Sequence, residues 1–182
     1  MRWIVRVLSV FVCAGVALHA AGELSGRQAP GFSLPDSTLK QYDLADYRGK
    51  IVLLDFMQTA CPHCVVFTKI LEEVKAKHGD KIAILSVVNP PSDQAGVQRY
   101  MRDTNATSPI LFDCGQMAGS YFKMTGQSKG INVPHLFLID AKGWIVNDYG
   151  YGPATKSIFE GRAVFAELDG MLRKASPAKS KK

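Results

Sequence analysis

The chain has 182 residues and a formal charge of +6, and 47% of its residues are hydrophobic, which agrees with one globular domain. The basic excess lies at the two ends. Without Arg2, Arg6 and the five cations after Leu172, 15 basic residues stand against 16 acidic ones. Because the body of the chain is close to neutral, its charge argues against a nucleic-acid-binding surface, and we expect no nucleic-acid partner.

The N-terminus has the pattern of a signal peptide. Arg2 and Arg6 precede an almost wholly apolar stretch, residues 7–21, and small residues allow cleavage near Ala20 or Gly22. The stretch is short for a membrane span, and an uncleaved anchor is the alternative. We therefore expect export to the periplasm or another extracytoplasmic compartment, with membrane association only if the leader is retained.

A buried strand is predicted next, after a short hairpin near Phe32 and Tyr42. Residues 51–56 form a short apolar run that follows the turn signal Arg48-Gly49-Lys50. Asp55 is the one acid in this run. Burial of a carboxylate is unfavourable unless the group is neutralised or hydrogen-bonded, so its presence here requires a reason.

Two cysteines follow the strand, in the sequence Cys61-Pro62-His63-Cys64. This spacing can close a small disulfide ring, and it also serves zinc. Apolar residues then recur at helical spacing and predict an amphipathic helix over residues 62–78, which Gly79 ends.

The predicted start of this helix explains how the pair would react. Pro62 suits the first helical position, so Cys61 falls at the N-cap, beside unpaired backbone N–H groups and the positive end of the helix dipole. These groups stabilise a thiolate, and a charged His63 would stabilise it further. Cys64, one turn inside, would be less exposed and would act as the resolving thiol.

The remaining elements alternate between strands and helices. Ser92 is the predicted cap of a helix that follows the second strand. A domain over residues 23–173 and a flexible basic tail over residues 174–182 complete the chain. The predicted strands are 82–88, 110–113, 134–140 and 144–149, and the predicted helices are 93–104, 116–122 and 155–173.

Several segments around the cysteine pair resemble the redoxin group of the thioredoxin superfamily, which includes the TlpA-like extracytoplasmic thiol-disulfide oxidoreductases. The order and spacing of these segments carry the resemblance, and together they span roughly residues 26–173. It implies an α/β, thioredoxin-like fold: a central mixed sheet flanked by helices, with an N-terminal β-hairpin and an inserted helix-strand unit. The segments are Ala29–Asp36, Leu44–Lys50, the strand with the cysteine pair, Pro109–Asp113, Val133-Pro134 and Phe137–Gly143.

The resemblance also implies roles for individual residues. Val133-Pro134 should contain a cis peptide bond packed against the cysteine pair, with Val133 offering its backbone to an extended substrate segment. Asp55 should lie beneath the disulfide with a raised pKa and relay protons to Cys64. The implied activity is thiol-disulfide exchange through Cys61 and Cys64, which needs no cofactor beyond the dithiol. Its partners would be protein or peptide substrates and a redox partner protein.

The direction of exchange stays open at this point. The scaffold resembles extracytoplasmic reductases, whereas the Cys-Pro-His-Cys tetrad and the valine before the proline look like the DsbA-type oxidases. A strongly stabilised Cys61 thiolate would favour the reduced form and make the disulfide a good oxidant.

Three further hypotheses compete with or extend this prediction. Cys114 follows the third predicted strand and could be a third redox thiol, or simply a small buried residue. His135 could join Cys61 and Cys64 in a copper-binding site of the kind that Sco-like chaperones use.

A peroxiredoxin-like antioxidant activity is the remaining alternative. In that signature a Thr or Ser lies three residues before the reactive cysteine, and a Pro lies four residues earlier again. Gln58 and Leu54 occupy those places before Cys61, so the signature is absent.

Overall fold

A computed structural model of the chain describes residues 22–128 and 130–175. The predicted signal peptide lies outside the described residues except for Gly22, and so does the tail from residue 176 onward. The described strands are β1 (Arg27–Gln28), β2 (Ser33–Pro35), β3 (Gln41–Asp43), β4 (Ile51–Met57), β5 (Ile82–Val88), β6 (Ile110–Phe112), β7 (His135–Ile139) and β8 (Trp144–Gly150). The described α-helices are α1 (Pro62–His78), α2 (Gln94–Thr104), α3 (Gln116–Phe122), α4 (Lys156–Phe159) and α5 (Ala163–Ala175).

Six strands form one mixed sheet in the order β1-β8-β7-β4-β5-β6. Strands β4, β5 and β6 run parallel, whereas β7 is antiparallel to both β4 and β8. Strands β2 and β3 form the separate N-terminal hairpin, and α2 with β6 is the inserted unit. The predicted α/β class, a mixed sheet flanked by helices, is therefore confirmed.

Strand β4 lies in the middle of this sheet, and all seven of its residues are buried. Because alternate side chains point to opposite faces, the strand contributes to two separate cores. Val52, Leu54 and Phe56 pack with α3 and the N-terminal segments, whereas Ile51 and Leu53 pack with α1, α4 and α5. Packing on both faces thus fixes the position of the central strand. It also fixes where the strand ends and the following turn begins.

Helix α1 begins at Pro62 and ends at His78, as its apolar spacing predicts. Gly79, with a φ of +55°, ends it in a backbone conformation that side chains rarely adopt. Among the described residues, no helix combines the length and the apolar character that crossing a membrane requires.

Three sequence predictions differ from the structure. Helix α2 is capped by Asp93, whose carboxylate accepts the Gly96 N–H at 2.7 Å, and not by Ser92. The predicted last helix is two helices, α4 and α5, because the chain turns at Gly161, where a Cβ would meet the backbone of Ser157 at 2.7 Å. Helix α5 also continues to Ala175, so the predicted tail begins inside its last turn.

A stability test follows from Asp113, a buried carboxylate between β6 and α3. Its oxygens accept the N–H groups of Met117 and Ala118 at 3.1 and 3.0 Å and the Asn89 amide at 2.9 Å. Asp113→Ala removes the acceptor of the buried Met117 and Ala118 N–H groups, so the free energy of unfolding in urea should fall by about 2 kcal/mol. The exposed Asp103→Ala is the matched control, and equal losses in the two variants would contradict the capping role.

Candidate active site

The two cysteines lie where strand β4 passes into helix α1. Cys61 and Cys64 are paired as a disulfide, with their Cα atoms 5.2 Å apart, a separation inside the usual range for such a bond. Cys61 is the N-cap of α1, and its sulfur accepts the backbone N–H of Cys64 at 3.2 Å. The N-cap arrangement predicted from Pro62 is therefore present.

The two sulfurs are unequally accessible. Cys64 is fully buried in a small apolar cluster with Met57 and Val88, whereas Cys61 is partly exposed at the rim of this cluster. A substrate disulfide can therefore approach Cys61 but not Cys64. This difference in exposure is what the predicted roles require, with Cys61 as the attacking thiol and Cys64 as the resolving thiol, and the roles stay a prediction.

Val133 and Pro134 lie opposite the disulfide. The peptide bond between them is cis, and the carbonyl oxygen of Val133 lies 3.9 Å from the Cys61 sulfur. Val133 also lines a groove of about 430 Å³, whose other walls are mainly apolar and include Met57, Met124 and Ile131. The backbone of Val133 therefore lies between the accessible sulfur and an apolar groove.

Asp55 lies two residues before Met57 on β4 and faces the same side of the sheet as Cys64. It is fully buried, and neither carboxylate oxygen has a hydrogen-bond partner among the described residues. Burial disfavours the charged form and raises the pKa of Asp55 to about 8. The raised pKa that the family resemblance implies for Asp55 is therefore present, whereas its proton relay to Cys64 stays a prediction.

Tyr100 and Thr68 stand near this acid. Their hydroxyl groups are 2.7 Å apart, and burial, with the nearby Asp55 charge as a smaller contribution, raises the pKa of Tyr100. Ser86 on β5 pairs in register with Asp55. The carboxyl group is thus surrounded by neutral side chains, which is why its own charge is so unfavourable.

His63 makes two contacts that the sequence does not reveal. Its Nδ1 lies 2.8 Å from a carboxylate oxygen of Glu160, and its ring stacks on Tyr151 with centroids 4.1 Å apart. Glu160 is 97 residues further along the chain and belongs to the turn between α4 and α5. No short-range pattern in the sequence connects these residues.

The structure does not bring His135 to the cysteine pair. On β7 its side chain shares a face with Phe137, in the core opposite α1, and its Nε2 lies 3.4 Å from a carboxylate oxygen of Asp148. The described residues also contain no group of three or more His, Cys, Asp or Glu side chains placed to hold a metal. The three ligands of the alternative copper site, Cys61, Cys64 and His135, are therefore not brought together.

Cys114 lies at the same edge of the sheet as the cysteine pair, because β4, β5 and β6 are parallel. It is exposed, so the alternative of a small buried residue is wrong. Strand β6 is two strands away from β4, or about 10 Å. A third redox thiol here remains a prediction.

Comparison with known proteins agrees with this geometry. Residues 24–162 match the family model described as Redoxin. The chain belongs to the redoxin family. The thioredoxin-like protein YneN of Bacillus subtilis is 31% identical over 141 residues, which cover 76% of this chain and 78% of YneN.

Two other similar proteins extend the comparison. The thiol-disulfide oxidoreductase ResA of Bacillus thuringiensis is 27% identical over 154 residues, covering 84% of this redoxin and 79% of ResA. The structure of the exposed lipoprotein thioredoxin of Streptococcus pneumoniae superimposes with a TM-score of 0.60 at 24% identity, covering 78% of this chain and 99% of that one. The second likeness shows the thioredoxin-like fold.

Replacement of Asp55 tests the buried acid through the pH dependence of stability. Because the pKa of Asp55 is about 8 in the folded redoxin and about 3.8 in an ordinary aspartate, the folded state binds the extra proton in between. Asp55 therefore lowers the free energy of unfolding progressively as the pH rises from 4 to 8, by up to about 5 kcal/mol. Asp55→Asn should remove this loss, so the variant should match the wild type near pH 4 and exceed its stability at pH 8.

Urea unfolding of the oxidised protein at several pH values measures this difference. Asp103→Asn, an exposed aspartate, is the control. A difference between Asp55→Asn and the wild type that stays constant from pH 4 to pH 8 would show that the carboxyl group is not held neutral.

Proposed function

We propose that this redoxin is an exported thiol-disulfide oxidoreductase that exchanges disulfides with protein or peptide substrates through Cys61 and Cys64. One observation carries the proposal: a partly exposed N-cap sulfur is joined to a buried one and lies 3.9 Å from the Val133 carbonyl oxygen. In such a pair the exposed sulfur can form a mixed disulfide with a substrate, and the buried sulfur can then displace the substrate. The name of ResA, a thiol-disulfide oxidoreductase, agrees with this chemistry.

The exchange follows two steps in the reductive direction. The Cys61 thiolate attacks one sulfur of a substrate disulfide, forms a mixed disulfide and releases the other substrate sulfur as a thiolate. Cys64 gives its proton to the Asp55 carboxylate, and its thiolate then attacks the Cys61 sulfur. The second substrate thiolate leaves, and Cys61–Cys64 is oxidised. The oxidative direction reverses these steps.

Each residue near the pair has a role in this proposal. The Cys64 N–H and the start of α1 stabilise the Cys61 thiolate. The backbone of Val133, before the cis Pro134, receives an extended segment of the substrate. Asp55 accepts the proton of Cys64, because burial raises the pKa of Asp55 to about 8 and lets the carboxyl group take up and release a proton near neutral pH. The dithiol is the only redox group that the exchange requires.

Cysteine variants of the full chain test the exchange chemistry. Cys61→Ser should abolish the reduction of insulin by this protein in the presence of dithiothreitol. Cys64→Ser should instead accumulate a mixed disulfide with the substrate, because the resolving thiol is missing, and mass spectrometry should place the link at Cys61. Insulin reduction by Cys61→Ser at the wild-type rate would contradict the mechanism.

Cys114→Ser separates the two-thiol mechanism from a three-thiol one. If Cys114 takes part, this variant should slow the resolution of the mixed disulfide. Unchanged rates would leave Cys61 and Cys64 as the complete redox centre.

Export is a separate part of the proposal, supported by the N-terminal pattern. Expression of the full chain should yield a periplasmic protein that begins near Gly22, as read by intact mass. A full-length chain in the membrane fraction would show that the leader is an uncleaved anchor. Full-length protein confined to the cytoplasm would overturn the proposed export.

A further inference from the structure

His63, the residue that gives the tetrad its cationic potential, is held from two sides. Its ring is nearly parallel to the ring of Tyr151, at an interplanar angle of 24° and a centroid distance of 4.1 Å. Its Nδ1 lies 2.8 Å from Glu160 Oε1, and the Tyr151 hydroxyl donates to the same oxygen at 2.5 Å. The imidazole therefore occupies one side of a three-residue cluster, His63–Tyr151–Glu160, although it is on the surface.

The two partners of His63 are themselves anchored. The Tyr151 backbone N–H donates to the Pro134 carbonyl at 3.1 Å, and the Asn132 amide donates to the Tyr151 carbonyl at 2.9 Å. The Tyr151 ring also packs edge-on against Phe159, which is fully buried. The cluster therefore connects the segment around the cis proline with the second residue of α1.

Glu160 provides the compensating charge of the cluster. Hydrogen bonds, from Tyr151 first and then from Lys156 and His63, lower the pKa of Glu160, so this carboxyl group is ionised and only accepts hydrogen bonds. The His63 nitrogen that faces it, Nδ1, must therefore carry the hydrogen. The Cys61 sulfur receives the Cys64 N–H instead, and among the described residues no hydrogen bond joins His63 to this sulfur.

We infer that Glu160 and Tyr151 are positioning residues that hold the His63 imidazole away from Cys61 and pair its charge, which makes the Cys61–Cys64 disulfide a weaker oxidant. The inference rests on the proposed disulfide exchange and addresses its direction. A Cys-Pro-His-Cys tetrad with an unrestrained histidine would place more positive potential near the Cys61 thiolate.

The sign of the effect follows from the two redox states. Only the reduced protein contains a Cys61 thiolate, so any group that stabilises this thiolate stabilises the reduced form and raises the reduction potential. Loss of the Glu160 carboxylate removes a negative charge near the tetrad, and loss of the Tyr151 stack lets a protonated His63 approach the thiolate. Both changes should therefore make the protein more oxidising.

Redox equilibration of the full chain with glutathione tests this inference. In Glu160→Gln the value of [GSH]²/[GSSG] at half-reduction should fall about fivefold, which converts to a potential about 20 mV more positive. The pKa of the Cys61 thiol, followed through thiolate absorbance, should fall in the same variant. Glu73→Gln is the matched control, because it removes another ion-paired carboxylate of the same region, about 18 Å along α1 from Cys61.

Tyr151 variants separate positioning from charge, because they leave every formal charge in place. Tyr151→Leu removes the stack and should shift the ratio in the same direction, by about two- to fivefold. Tyr151→Phe keeps the stack and should shift it less. In a His63→Ala background Tyr151→Leu should have no effect, since there is no imidazole to reposition.

Unchanged reduction potentials in both Glu160→Gln and Tyr151→Leu would overturn the inference, and so would a shift towards a more reducing protein. A Tyr151→Leu shift that is equally large in the wild-type and His63→Ala backgrounds would also overturn it. Urea unfolding of each variant identifies any that fail to fold, and Tyr151→Phe with Glu160→Gln then carries the test. Failure of the wild-type protein to exchange with glutathione would contradict the proposed function itself. Exchange with unshifted variants would contradict only the positioning roles.

Discussion

The backbone N–H of Cys64 points at the sulfur of Cys61, 3.2 Å away, and the chemistry of the site depends on this interaction. It exists because β4 ends where it does: its residues are buried on both faces of the sheet, so the following turn has no freedom to shift. Pro62 then starts the helix with a φ already suited to it. The sulfur that meets the substrate is therefore held at the positive end of α1 before any substrate arrives.

Successive side chains of β4 point to opposite faces of the sheet, and this alternation also explains why Asp55 is buried. Asp55 is at a position whose side chain must face α1, in a strand that otherwise carries apolar residues on that face. Its carboxyl group finds no hydrogen-bond partner among the described residues, and burial raises its pKa to about 8, so both protonation states are accessible near neutral pH. The redoxin fold thus accepts a loss of stability at this one position, as functional sites commonly do.

Local features were predictable from the sequence, and long-range ones were not. The bounds of α1 follow from Pro62, the apolar spacing and Gly79, all within one segment. The cap of α2 was assigned one residue early, since Ser92 and Asp93 are both good caps and only the backbone decides between them. The sequence does not reveal the break between α4 and α5, because Ile158, Phe165 and Leu168 continue an apolar pattern across Gly161.

The candidate site shows the same division. Cys61, Cys64 and the cis Val133–Pro134 bond could be placed from short motifs and from the resemblance to a family. The partners of His63 could not, because Glu160 reaches the tetrad only through the folding of α4 onto α1. His135 failed as a metal ligand for a related reason: the register of β7 sends its side chain to the opposite face of the sheet.

The start of the described chain bears on how far the enzyme can reach. Gly22 N donates to the Asn147 side chain at 3.1 Å and Leu24 N to Asp148 at 3.0 Å, and a side chain at Gly22 would collide with Asp148. The first described residues are thus held against β8 by hydrogen bonds. If the leader stayed in the membrane, the catalytic face would have a short tether and a restricted orientation towards the bilayer. Cleavage would instead free it to diffuse to substrates in every direction.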